Sequence, residues 1–162
     1  MSTNRFVRLI ETLCLHEVRY IVVGGVAAVL QRVPINTMDF DIVHDRDREN
    51  VLRLSAALAV LGVTYRDNSS NLAPTEADLA SAQCLRLRTG HLDLDILGIL
   101  GDGLTYSDLL PDTDKIEVAG HIVDVLKLEK LIELKRKLTR PKDRFMLIHL
   151  EATLEERSRM RD

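Results

Sequence analysis

Asp39 and Asp41 stand two residues apart in Thr37-Met38-Asp39-Phe40-Asp41-Ile42-Val43, a run that alternates acidic with apolar side chains. Residues two apart on an extended strand share a face, so both carboxylates project the same way, about 7 Å apart along the backbone. Paired charges of this kind repel unless a proton or a cation compensates them, and a hard divalent ion bridged by both is one common solution. Phe40, Ile42 and Val43 supply an apolar backing for the pair. A third carboxylate arises in Leu92-Asp93-Leu94-Asp95-Ile96-Leu97, where Asp93 and Asp95 again share one face. If this strand lies beside that of Asp39, one of the two can reach the same ions. Asp95 is favoured because it lies deeper in the apolar run, where an uncompensated carboxylate is costly.

Upstream stands Val23-Gly24-Gly25, with thirteen residues, Val26 to Met38, between Gly25 and Asp39. A strand that ends in two glycines and opens into a helix presents bare backbone N–H groups at a helix N-terminus, where phosphate can settle. Together with the acidic strand it supplies both halves of a metal-nucleotide site.

The elements that must position these residues follow from periodicity. Phe6, Val7, Leu9, Ile10, Leu13 and Cys14 recur at helical spacing, predicting a first helix capped at Thr3 and ending near Glu17. Tyr20 to Val23 reads as a buried strand, and Val26 to Leu30 as a helix that persists until Pro34. Asp45 or Asp47 caps a helix running to Leu61, closed by Gly62. Val63 to Arg66 reads as a short strand, and Asp67 to Ala82 as a loop with one helical turn, bordering a ligand. Cys84 to Thr89 and Leu92 to Leu97 flank Gly90-His91 as a hairpin, and a second hairpin spans Ile116 to Val125. Two helical segments separated by Arg140-Pro141 complete the chain from about Leu126. The order predicts an α+β fold, a mixed β-sheet packed with helices on one side, as a single domain over residues 1–162 with a core at about 19–125 and a helical element at about 126–160.

At these residues the sequence resembles a known family, the nucleotidyltransferase superfamily to which DNA polymerase β belongs. Val23-Gly24-Gly25, the gap after it and Asp39-Phe40-Asp41-Ile42 are similar to its glycine-turn and paired-acid motif. Leu131-Ile132-Glu133-Leu134-Lys135 and Arg140-Pro141-Lys142-Asp143 resemble the C-terminal element of small bacterial nucleotidyltransferase-like proteins, including toxins of the abortive-infection type. With Leu94-Asp95-Ile96-Leu97 between, the resemblance covers roughly Tyr20 to Leu150. It implies a nucleotidyltransferase-like core with C-terminal helices and transfer of a nucleoside monophosphate from a nucleoside triphosphate to an acceptor hydroxyl on RNA, protein or a small molecule. It further implies two Mg²⁺ ions, with Mn²⁺ as a substitute, held by Asp39, Asp41 and Asp95. Asp95 would also orient the acceptor hydroxyl or take its proton. Gly24, Gly25 and Thr37, with Lys135, Arg140 and Lys142, would hold the nucleotide phosphates, and a cognate antitoxin becomes a partner to expect. One departure concerns Ile35, which stands where many relatives carry an arginine two positions before the threonine. Arg32 is the neighbouring cation that could replace it. A non-catalytic nucleotide-binding module and a phosphohydrolase are the rival readings.

The rest of the composition narrows the class. The chain has 162 residues, 46% hydrophobic and 29% charged, which suits one soluble globule. Aromatic residues make up 4% and Trp is absent, so stacking platforms for single-stranded nucleic acid are not expected. A net charge of −3 leaves room for local basic patches only. The basic stretch from Lys127 to Arg144 otherwise reads as a solvated helix face, with Asp143 either holding its basic residues or capping the last helix. Cys14 and Cys84 read as small core hydrophobes, and His16, His44, His91, His121 and His149 as surface or turn residues with no ligand spacing. With no signal peptide or membrane span expected, the cytoplasm is the expected address.

Overall fold

The helical stripe of Phe6, Leu9, Ile10 and Leu13 becomes helix α1, Ser2–Leu15, and the run behind it becomes strand β1, Tyr20–Val23, buried along its whole length. The computed structural model describes residues 2–67, 71–90 and 92–161, with side chains from Phe6 onward. The chain continues through α2, Gly24–Leu30; β2, Asp39–His44; α3, Arg48–Leu61; and the two-residue β3, Thr64–Tyr65. Next come α4, Glu76–Ala80, and the hairpin of β4, Cys84–Thr89, with β5, Leu92–Leu97. A short α5, Tyr106–Leu109, precedes a second hairpin of β6, Thr113–Val118, and β7, His121–Leu126. Helices α6, Leu128–Arg136, and α7, Pro141–Arg161, complete the order, and Pro141 opens α7 as expected.

The fold is α+β, built on one mixed seven-stranded sheet ordered β3-β4-β5-β2-β1-β7-β6. Strands β2 and β5 pair in parallel, as do β1 and β7, and the other neighbours are antiparallel. Phe40 and Ile42 of β2 and Leu94 and Ile96 of β5 are wholly buried, and the Phe6 ring meets Phe40 at 5.3 Å, which seats α1 on that face. Burying each such side chain contributes about 1.5–3 kcal/mol, so this face fixes the register of the central strands. No described helix is long and apolar enough to cross a membrane.

Several expectations give way to local geometry. Helix α2 stops at Leu30, four residues before Pro34, because Arg32 adopts a left-handed conformation (φ 69°) and Val33 N–H bonds back to Ala28 O. Thr3 falls inside α1 rather than ahead of it. In the expected loop, α4 is capped by Thr75, whose hydroxyl accepts from Asp78 N–H, while residues 68–70 lie outside the described residues. His91, expected in the first hairpin turn, also lies outside them. Cys14 and Cys84 are exposed, contrary to their expected burial. Cys84 alternates with Leu85 and so shares the open face of β4 with Arg86 and Arg88. His44 is the converse correction. It shares the parity of Phe40 and Ile42, lies 1% exposed and bonds Leu79 O through Nε2 at 2.6 Å, and burial holds its pKa below the usual value.

Asn50, wholly buried at the start of α3, locks the outer end of β1 to the segment after β2. Its Oδ1 accepts from Arg19 N–H at 2.7 Å, and its Nδ2 donates to Arg19 O at 3.0 Å and Asp45 O at 2.7 Å. Asn50→Ala leaves these backbone groups without their buried partner and should cost about 2–3 kcal/mol, measured as a lower urea midpoint with an unchanged slope.

Candidate active site

The alternation that buries Phe40 and Ile42 turns Asp39 and Asp41 to the opposite face, and the alternation in β5 does the same for Asp93 and Asp95. Parallel pairing of β2 with β5 sets Asp39 across from Asp93 and Asp41 across from Asp95. Four carboxylates therefore stand on one face of two adjacent strands, where directly opposed like charges are destabilising. Asp41 bears the strongest effect. Burial, then Asp95, then Asp39 push its pKa up to about 7, against a smaller opposing pull from Lys135. Its Oδ1 is buried without a hydrogen-bond partner.

The glycine turn reaches this carboxylate directly. Antiparallel pairing of Val23 with Asp41 delivers Gly24 (φ 65°) beside it, and a Cβ built on Gly24 would lie 2.4 Å from Asp41 Oδ2. A Cβ on Gly25 would lie 2.5 Å from Thr37 Oγ1, and Thr37 in turn donates to Asp39 O at 3.3 Å. Gly24, Gly25, Thr37, Asp39 and Asp41 thus form one contact set, and a side chain at either glycine would displace its acidic or threonine neighbour.

Lys135 enters from α6. It lines a cleft of about 250 Å³ with Gly24, Asp41, Leu97, Leu100 and Leu134. Its Nζ lies 2.9 Å from Oδ1 of Asp143, whose other oxygen lies 2.7 Å from Arg140 Nε. Asp143 is completely buried, and Arg140, then Lys135, hold its carboxyl below the usual range despite that burial. Of the two roles expected for Asp143, holding the basic residues is the one its contacts fit. Arg140 is 71% exposed, and among the described residues its ion pair is with Asp143. Lys142 is exposed on the first turn of α7 and makes no ion pair among the described residues.

Arg66 is the residue that sequence reasoning missed. Its guanidinium lies 2.6 Å from Asp95 Oδ1 and 3.5 Å from Asp93 Oδ1, and donates to Leu87 O at 3.3 Å. It is 11% exposed at the side chain. The only local hint is an arginine just past a short strand; its reach depends on β3 lying at the sheet edge beyond β4, with Arg66 N–H bonded to Arg86 O.

As the side chains stand, no group of three or more His, Cys, Asp or Glu among the described residues is gathered to hold a metal ion. Asp95 is turned to Arg66 instead. The donor chemistry nevertheless fits Mg²⁺, which needs one or two protein carboxylates besides water and substrate phosphate, and the unpartnered Oδ1 of Asp41 is an oxygen that a cation would satisfy.

The fold has a likeness among solved structures. It matches the crystal structure of a "putative nucleotidyltransferase" from Thermotoga maritima, with a TM-score of 0.56 over 94% of this chain and 92% of that one, at 23% identity. No protein-family model matches the chain, and no curated protein matches it significantly. The likeness establishes a nucleotidyltransferase-like fold: the mixed sheet carrying the glycine turn and the acidic strands, followed by two C-terminal helices.

The raised pKa of Asp41 makes stability depend on pH. Because the folded protein holds this proton more tightly than the unfolded chain, the contribution is complete below pH 4 and is lost as pH rises through about 7. His44, with a lowered pKa, acts in the opposite sense up to about its ordinary value, near 6.5. The two separate in a difference. In EDTA, Asp41→Asn should gain stability over the wild type by about 1 kcal/mol per pH unit between pH 5 and 7, read from urea midpoints at each pH.

Proposed function

We propose that the chain is a Mg²⁺-dependent nucleotidyltransferase that moves a nucleoside monophosphate from a nucleoside triphosphate to an acceptor hydroxyl. The observation that carries this reading is Asp41: half-buried, opposed by Asp95, close against Gly24 and left with one buried oxygen that has no hydrogen-bond partner. A carboxylate so disfavoured in water suits a site completed by a divalent cation.

Asp39 and Asp41 would hold the ions, joined by Asp95. When bound, a pair of Mg²⁺ ions would supply activation of the acceptor hydroxyl and neutralisation of charge on the leaving pyrophosphate. The protein's own share is positioning. Gly24 and Gly25 would present backbone N–H groups to the phosphates, their missing Cβ atoms leaving room for Asp41 and Thr37 against the same segment. Lys135, steadied by Asp143, places a positive charge beside Asp41 in the same cleft. Asp95 would orient the acceptor hydroxyl and accept its proton as the new O–P bond forms and the bond to pyrophosphate breaks. The acceptor is a hydroxyl on RNA, protein or a small molecule, and membership of a toxin–antitoxin pair is the finer form of the reading.

A second reading, a nucleotide-binding module without turnover, draws on Ile35, which packs partly buried against the core where the resemblance leads one to expect an arginine. Thermal stabilisation by Mg²⁺ and a triphosphate, with no labelled product, would favour it.

With Mg²⁺ and labelled triphosphates, the wild type should transfer label to an RNA, protein or small-molecule pool. Asp39→Asn should reduce that rate at least about a thousandfold while leaving the fold intact by circular dichroism. Equal rates in wild type and Asp39→Asn would overturn the assignment.

A further inference from the structure

We propose that Arg66 is a positioning residue, the resident counter-cation of Asp95, and that Asp95 joins the metal ligands only when substrate phosphate draws Arg66 away. The inference rests on the metal-binding reading above. Three observations carry it. Arg66 contacts Asp95 at 2.6 Å, the shorter of its two carboxylate contacts, with both side chains largely shielded, 11% and 20% exposed. Among the described residues this is the one ion pair that Asp95 makes, whereas Asp93 is approached by Arg88 as well, at 3.7 Å. Departure of Arg66 would therefore leave Asp93 its ion pair with Arg88 and break the one that Asp95 makes.

The third observation concerns what could draw Arg66 away. Its Nε is buried and faces Asp93 Oδ1 at 3.5 Å without forming a hydrogen bond, so the guanidinium is incompletely satisfied where it lies. A phosphate oxygen would take that N–H together with a second one in the fork geometry arginine favours. While Arg66 stays, a divalent ion at Asp95 would meet a positive charge at contact distance in a partly desolvated setting, where Coulomb energies are large. The gathering of the three carboxylates then depends on substrate: Asp39 and Asp41 take an ion first, and Asp95 is released when triphosphate arrives.

The test uses Mn²⁺ as an electron paramagnetic resonance probe on the full chain, with and without a non-hydrolysable triphosphate. Without nucleotide, R66Q should bind Mn²⁺ about tenfold more tightly than the wild type, and the gain should vanish when Asp95→Asn is also present. With triphosphate, wild type and R66Q should converge. Equal nucleotide-free affinities, or the same gain in the Asp95→Asn background, would overturn the inference and leave the metal reading standing. A wild type that binds no Mn²⁺ even with triphosphate would overturn both. Should R66Q fail to fold, the wild-type Arg66 Nε–H resonance gives the answer. It should stay in place with Mg²⁺ alone and shift on adding triphosphate, and a resonance that never shifts would refute the exchange.

Discussion

Two carboxylates, Asp41 and Asp95, face one another across the parallel pair β2–β5, and the surrounding fold manages that repulsion. It does so by distributing charges of both kinds. Arg66 stands against Asp95, Lys135 lies close enough to pull on Asp41, and the proton that Asp41 retains up to about pH 7 covers the remainder. Such an arrangement is tolerable but not relaxed, as the unpartnered oxygen of Asp41 and the Nε–H of Arg66, held 3.5 Å from Asp93 without a hydrogen bond, both show. Divalent cations and phosphate are complementary to these two defects, the first to the oxygen and the second to the N–H.

The sheet explains why the repulsion is stable enough to exist. Phe40, Ile42, Leu94 and Ile96 are anchored on the reverse of the same two strands, so a slip of one residue would expose all four. The register is consequently held by apolar burial, and the acids must accept their positions. Antiparallel β1 then brings Gly24 against Asp41, and α6 with α7 brings Lys135 over the cleft on a completely buried Asp143. Asp143 sorts the basic groups of this region: Lys135 is turned inward by it, Arg140 is tied at the surface, and Lys142 is left in solvent.

Much of this was legible in the sequence because its signals are local. Alternation in β2 and β5, the glycine pair after β1 and Pro141 each act over a few residues, and the strands and helices they mark appear there. The opposition of Asp41 and Asp95 was conditional in the sequence, since it required β5 to lie beside β2 across a crossover of many residues. Arg66 was not legible at all, because its partner lies 29 residues away and depends on the edge position of β3. Cys84 and His44 were misjudged for a simpler reason. Residue type suggested one environment, while strand parity, which sends Cys84 outward with Arg86 and His44 inward with Phe40, imposed the other.

The most direct test of a metal-nucleotide site on this face is a crystal structure with Mg²⁺ and a non-hydrolysable nucleoside triphosphate. It should show an ion bridged by Asp39 and Asp41, the triphosphate against Gly24 and Gly25, and Asp95 turned from Arg66 toward the ions. Triphosphate bound elsewhere, or lying in this cleft with no ion on Asp39 and Asp41, would contradict it.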